Sequence, residues 1–256
     1  MTTRKPSTAH LAKLTSGSYV MGSKDAKKKR VTDTQSHVSN TDYIVNHKYS
    51  DSGITVYQHK NDPKHLVIAH RGTNVGGSKG MKDIANDLTL SMGVKAGHKK
   101  RFNQRKRTTE KAIRELGGGK PSQLHVVGHS LGGGTANYAV AQSQLVRDNL
   151  TSLNTFNTAA HPIFNGDLKI TKAEQRKLKG KVVHHRVEND AVSLGVKAYV
   201  PLGGKVLTRK AKPVKQKKQG FLARLIAKDP LMKTKSMGTK SLDAHSMSQF
   251  LPNEDD

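Results

Sequence analysis

At 256 residues, with 34% hydrophobic residues, 23 Gly and only 8 Pro, the chain is long enough to bury the core of one α/β domain or, at a stretch, two small ones. It contains no cysteine, which excludes disulfides, thiolate metal sites and a cysteine nucleophile. Lys plus Arg number 45 against 19 acidic residues, a net charge of +26 that attracts phosphate in nucleic acid or on anionic lipid headgroups, or that serves solubility alone.

The first twenty residues hold no continuous apolar run of the secretory kind. No stretch approaches the roughly 18 to 20 apolar residues of a spanning helix, so the chain is expected to be soluble, cytoplasmic or carried in a virion. Residues 1–50 are polar. A short helix is expected over 10–21, ahead of the basic run Lys27-Lys28-Lys29-Arg30, which reads as solvated surface, a phosphate patch or an import signal. Ile54-Thr55-Val56-Tyr57 alternates as a strand, 61–64 reads as a turn, and 66–69 is a second strand ending at His70-Arg71-Gly72-Thr73. A glycine-rich loop over 74–80 leads into a helical segment over 81–90. The basic stretch 95–107 opens a longer helix to 116, where Gly117-Gly118-Gly119 stops it.

The apolar run over 124–127, broken by His125, feeds Gly128-His129-Ser130-Leu131-Gly132, and small residues follow. This is the pattern of a nucleophile elbow, a sharp strand-to-helix turn that lifts a serine hydroxyl above a sheet. Small neighbours are required because strand and helix backbones nearly touch there. A helix is expected over 135–147 and strands over 153–159 and 182–187. From 205 to 240 the chain holds twelve Lys or Arg and one acid, Asp229. Inside it, 221–228 is a short basic amphipathic stretch, readable as a lid or membrane anchor or as a core-facing helix. An acidic tail, Asn253-Glu254-Asp255-Asp256, closes the chain. Alternating strands and helices predict an α/β fold of the α/β-hydrolase kind, a mostly parallel sheet flanked by helices. The expected division is a core over 51–204, a polar N-terminal region over 1–50 on or before it, a basic insertion over 205–240 and a C-terminal segment over 241–256.

A serine needs an imidazole to take its proton and a carboxylate to orient that imidazole. In hydrolases with such an elbow the chain order is serine, acid, histidine. Asp190 lies just past the strand over 182–187, on the edge of the sheet that bears the elbow. Glu188 is the second candidate, nearer the strand, and Asp167 reads as a turn cap. Beyond Asp190 the only histidine is His245, which makes it the base. His129, next to Ser130, points elsewhere, and His70 and His125 read as strand residues. The oxyanion requires two donors, the backbone N–H of Leu131 and a second from the loop after an earlier strand, where Thr73 fits. His184-His185 are adjacent on a strand, so their rings face opposite ways and chelate poorly. No metal or cofactor is implied.

Taken in order, several segments resemble the class 3 lipases. They are His70-Arg71-Gly72-Thr73, Asp83-Ile84-Ala85-Asn86-Asp87-Leu88, the elbow, Asn154-Thr155-Phe156-Asn157-Thr158-Ala159, Asn189-Asp190-Ala191-Val192 and Ala244-His245-Ser246-Met247. The resemblance covers about 50–251. It implies an α/β-hydrolase fold and a serine esterase of acylglycerols or phospholipids. The region between Thr73 and Asp83 is short and polar where triacylglycerol lipases carry a longer apolar lid. With the charge, this points to a lipid-cleaving phospholipase or lysophospholipase in peripheral contact with an anionic membrane. Two alternatives stand beside it: a soluble small-ester or thioester hydrolase on the same residues, and a basic scaffold that binds nucleic acid or travels in a particle.

Overall fold

The computed structural model describes residues 4–72, 95–158, 168–190, 193, 200–212 and 245–252. Its centre is a seven-stranded sheet whose spatial order follows the chain. The strands are β1 (Tyr43–Val45), β2 (Ile54–His59), β3 (Asp62–His70), β4 (Gln123–His129), β5 (Ser152–Phe156), β6 (Val182–Val187) and β7 (Lys205–Arg209). β1, β2 and β3 pair antiparallel through short connections, and every pairing from β3 to β7 is parallel. The helices are α1 (Thr8–Met21), α2 (Lys27–His37), α3 (Lys95–Leu116), α4 (Leu131–Gln142), α5 (Gln144–Asn149) and α6 (Lys172–Leu178). The chain is thus an α/β protein with a mostly parallel sheet flanked by helices. Among the described residues no helix is long and apolar enough to cross a membrane.

Period-two alternation along the strands sorts the core into two layers. Ile54, Val56, Leu66, Ile68, Leu124, Val126 and Leu153 face one side, where Phe102 and Ile113 of α3 and Ala136 and Val140 of α4 cover them. Tyr57, Val67, Ala69, Val127, Phe156 and Val187 face the other side, against Leu11, Ala12 and Leu14 of α1 and against Met247 and Phe250 near the C-terminus. α1 starts on a cap from Ser7, whose Oγ accepts the His10 N–H at 3.3 Å. It lies close to the sheet because Gly17 leaves room for the Tyr57 ring, whose hydroxyl donates to the Leu14 carbonyl at 2.9 Å. The residues of α4 from Leu131 to Ala141 are buried all round, as a helix wedged between sheet and neighbouring helices must be.

Several local expectations change. The strand read over 66–69 starts at Asp62, so the expected turn over 61–64 shrinks to Lys60-Asn61. Pro63 is tolerated because pairing with β4 begins only at His65, and the missing N–H is not needed before then. The helix expected over 135–147 is two helices, α4 and α5, divided at Ser143. That residue is extended, and its hydroxyl caps Val146 N–H at 3.3 Å and donates to Glu110 at 2.6 Å. The strand over 153–159 stops at Phe156, because Asn157 turns to φ 42°. The terminal helix is one 3-10 turn, Met247–Gln249.

The first five residues of the basic segment over 205–240 are strand β7. Its Arg209 reaches the Gln249 carbonyl at 3.3 Å and covers the Phe250 ring at 4.9 Å, while Lys212 donates from Nζ to the Leu251 carbonyl at 2.6 Å. Some of the positive charge there fastens the C-terminal segment to the sheet. The stretches over 74–90 and 221–228 lie outside the described residues.

Candidate active site

β4 enters the elbow at His129 and α4 leaves it at Leu131, so the whole reversal falls on Ser130. Its backbone sits at φ 56°, ψ −128°, a conformation that costs an L-residue on the order of 1–3 kcal/mol. The surrounding glycines explain how the turn fits. A methyl on Gly132 would sit 2.1 Å from the His70 carbonyl oxygen, and one on Gly128 would sit 2.3 Å from the Gly132 carbonyl oxygen. The Ser130 carbonyl accepts from Gly133 N–H at 2.9 Å, which closes the first turn of α4. Leu131, the residue expected to offer an oxyanion donor, is therefore the first helical residue, where backbone N–H groups point outward and the helix dipole favours negative charge.

The two acids differ in their surroundings. Glu188 is exposed, whereas Asp190 is fully buried and its Oδ1 lies 3.0 Å from Nδ1 of His245. Asn189, at φ 64°, makes the turn that points Asp190 inward. Ser130, Asp190 and His245 are 3%, 0% and 3% exposed, so the Asp190–His245 contact is shielded from water and from salt. With Nδ1 engaged by a carboxylate, Nε2 is the ring nitrogen left to exchange a proton with a neighbour. The His245 ring packs 4.9 Å from the ring of His129, the residue that precedes Ser130. Thr73 lies outside the described residues, as do Asp83, Ile84, Asp87, Ala191, Val192 and Ala244.

Two residues join the site without having been marked for it. His129, expected to point elsewhere, lies against His245. Its Nε2 contacts the His245 carbonyl oxygen at 2.7 Å, and its Nδ1 meets the Tyr19 hydroxyl at 2.6 Å. Burial holds His129 neutral, with its pKa lowered to about 3, helped by the His245 ring beside it. A carbonyl only accepts, so Nε2 carries the proton and Nδ1 accepts from Tyr19. Burial also pushes the Tyr19 phenol well above the ordinary tyrosine range, which keeps that donor protonated. Tyr19 lies on α1, 110 positions from His129, and only the packing of α1 on the sheet brings them together.

The strand end at 70–72 is held from both sides. Arg105 of α3, 4% exposed, donates from Nη1 to the Arg71 carbonyl at 2.7 Å, and the Tyr19 hydroxyl packs against Gly72. Burial, with Arg101 nearby, lowers the Arg105 pKa to about 9. A side chain on Gly72 would collide with the His129 carbonyl at 2.6 Å and with the Tyr19 hydroxyl at 2.7 Å.

Three further buried histidines are occupied. His125 bonds Ser152 at 2.8 Å, His184 bonds Thr155 at 2.7 Å and the Pro201 carbonyl at 3.0 Å, and His185 bonds Asn154 at 3.0 Å. His184 and His185 face opposite sides of the sheet, and among the described residues no three His, Cys, Asp or Glu gather so as to hold a metal ion.

A family model described as phospholipase-like, Tle-like phospholipase domain, matches residues 10–239. Comparison with individual curated proteins gives no match. The matched span includes the elbow, the β6–Asp190 turn and most of the sheet, and the chain belongs to the phospholipase-like family of Tle-like phospholipase domains.

Proposed function

We propose that the chain is a phospholipase of the serine carboxylic-ester hydrolase type on an α/β-hydrolase fold, with Ser130 as nucleophile, His245 as general base and Asp190 as its orienting acid. The observation that carries the reading is the pairing of a positive-φ serine at the β4–α4 turn with a buried Asp190–His245 contact of 3.0 Å. The phospholipase-like family supports the lipid substrate. The likeness to class 3 lipases is the narrower form of the same proposal.

In this reading Ser130 Oγ attacks the ester carbonyl carbon and its proton passes to His245 Nε2. The Nδ1–H stays on the bond to Asp190, whose charge stabilises the imidazolium. The carbonyl π bond opens to a tetrahedral oxyanion, which the Leu131 N–H and a donor from Thr73 receive. Collapse breaks the ester C–O bond, and the leaving alcohol (a lysophospholipid, for a phospholipid substrate) takes the proton from Nε2. Water, deprotonated by the same Nε2, then cleaves the acyl-enzyme to a fatty acid and restores Ser130.

The positive surface supports peripheral contact with an anionic membrane. The exposed side of α3 presents Lys100, Arg101, Arg107 and Arg114. Each cation close to an anionic bilayer contributes about 1 kcal/mol.

The test combines fluorophosphonate labelling with product analysis on mixed phosphatidylcholine and phosphatidylglycerol vesicles. Labelling of the wild type but not of Ser130→Ala, with release of fatty acid and lysophospholipid that weakens as salt rises, supports the reading. Full ester hydrolysis by Ser130→Ala overturns the mechanism. Turnover of short soluble esters alone points instead to a small-ester or thioester hydrolase. Retention on nucleic acid without preference for vesicles assigns the basic surface to nucleic acid.

A further inference from the structure

We infer that Tyr19 is a positioning residue whose hydroxyl, acting through His129, fixes the backbone of His245 beside the elbow. The inference rests on the proposed role of Ser130 and His245 and goes beyond it, because it assigns a function to a helix far from both in sequence.

The hydrogen bonds run in one direction. The Tyr19 hydroxyl donates to His129 Nδ1 at 2.6 Å, and His129 Nε2–H donates to the His245 carbonyl at 2.7 Å. Each group is used in the only sense open to it. A carbonyl cannot donate, so His129 carries its proton on Nε2 and the phenol must pass its own toward Nδ1. The chain therefore selects one tautomer of His129. It also joins three segments that no strand pairing connects: α1, the elbow and the C-terminal segment that carries His245.

The join falls where orientation matters most. The carbonyl of the Arg71–Gly72 peptide is held by Arg105 at 2.7 Å, and the Tyr19 hydroxyl fills the space a side chain on Gly72 would need. The next peptide leads into the expected oxyanion donor. At the other end, the His245 side chain is fixed by Asp190 and its backbone by His129. Without the Tyr19 hydroxyl, His129 is free to carry its proton on Nδ1. Nε2 then presents a lone pair to the His245 carbonyl, and the bond becomes a repulsion. A base displaced by about 1 Å loses up to about 100-fold in rate.

The test uses the full chain and four variants: Tyr19→Phe, His129→Leu, His129→Gln and the double variant Tyr19→Phe/His129→Leu. Hydrolysis of a soluble p-nitrophenyl ester gives kcat and KM, and fluorophosphonate labelling gives the reactivity of Ser130. Long-range proton–nitrogen NMR of the imidazoles reads the His129 tautomer without any need for turnover. Tyr19→Phe is expected to lose about 10- to 100-fold in kcat with KM within about twofold, and to lose the Nε2–H signature of His129. The double variant should be no slower than His129→Leu, because both break one chain. His129→Gln, which can still donate to the His245 carbonyl, should recover part of the loss.

Additive losses in the double variant overturn the inference, as does Tyr19→Phe with wild-type kcat and an unchanged tautomer. If Tyr19→Phe melts early and its loss of activity vanishes at lower temperature, the residue is structural only and the inference falls. A wild type that fluorophosphonate does not label overturns the serine reading and this inference with it. A labelled wild type with an indifferent Tyr19→Phe overturns this inference alone.

Discussion

Asp190 Oδ1 lies 3.0 Å from His245 Nδ1 across 55 positions of sequence, and both residues are almost wholly excluded from solvent. The contact unites the turn at the carboxyl end of β6, the edge where an open α/β sheet places its chemistry, with the C-terminal segment. It also distinguishes Asp190 from Glu188, two residues away and exposed. Asp190→Asn is expected to keep the fold and reduce ester turnover by about 10⁴-fold, since an amide favours the wrong imidazole tautomer. Glu188→Gln should stay within about twofold of wild type. Rates of p-nitrophenyl ester hydrolysis, with circular dichroism as the control for folding, check both.

Ser130 adopts φ 56°, a conformation glycine takes without penalty. Ser130→Gly should therefore abolish turnover while raising stability by about 1 kcal/mol. Thermal unfolding measured beside activity tests the trade. A variant less stable than wild type contradicts the strain argument.

Gly132→Ala should fail for a different reason. The added methyl would meet the His70 carbonyl oxygen at 2.1 Å, and this neighbour is backbone in the centre of the sheet. A loss of about 3 kcal/mol or more, or a chain recovered only as aggregate, is expected. Gly118, at φ 61° with open space around it, forms the contrast: there alanine suffers only the conformational penalty of about 1 kcal/mol. Urea unfolding of both variants reads the difference.

Burial gives the fold an acid limit. His70, His125 and His129 are lowered to about 3 and His184 to about 4, in each case chiefly by burial, against an unfolded value near 6.5. Between those values the unfolded chain binds more protons than the native one, so stability rises with pH and is lost as pH falls below about 6.5. Each such histidine contributes about 1.4 kcal/mol per pH unit, and the four together about 5. That is comparable to the whole stability of an ordinary domain. Unfolding near pH 5 is expected, well above the carboxylate range. Denaturant midpoints from pH 8 to 4 measure it, and a midpoint flat down to pH 4.5 contradicts it.

Much of the site was legible because the chemistry constrains chain order. The glycines around Ser130 announced a close approach of backbones, and the order serine, acid, histidine left His245 alone beyond Asp190. Alternation marked β2 and an apolar run marked β4, since a strand covered on one or both faces must carry apolar residues at its covered positions. β1 and β7 were not marked. They are edge strands with exposed positions, such as Ile44 and Leu207, and carry little of that pattern. The break at Ser143 also escaped, since a serine within a helical pattern signals nothing until Glu110 meets its hydroxyl.

The sequence by itself determined the α/β class, the elbow at Ser130 and the residue types available to activate it, since each follows from local spacing and chain order. Only the tertiary structure decided that Asp190 and not Glu188 meets His245, that Arg209 and Lys212 bind down the C-terminal segment, and that Tyr19 reaches His129. Those contacts join segments far apart in the chain. They depend on which face of α1 packs against the sheet and which way a two-residue turn points, and such long-range packing leaves no periodic trace in the order of the amino acids.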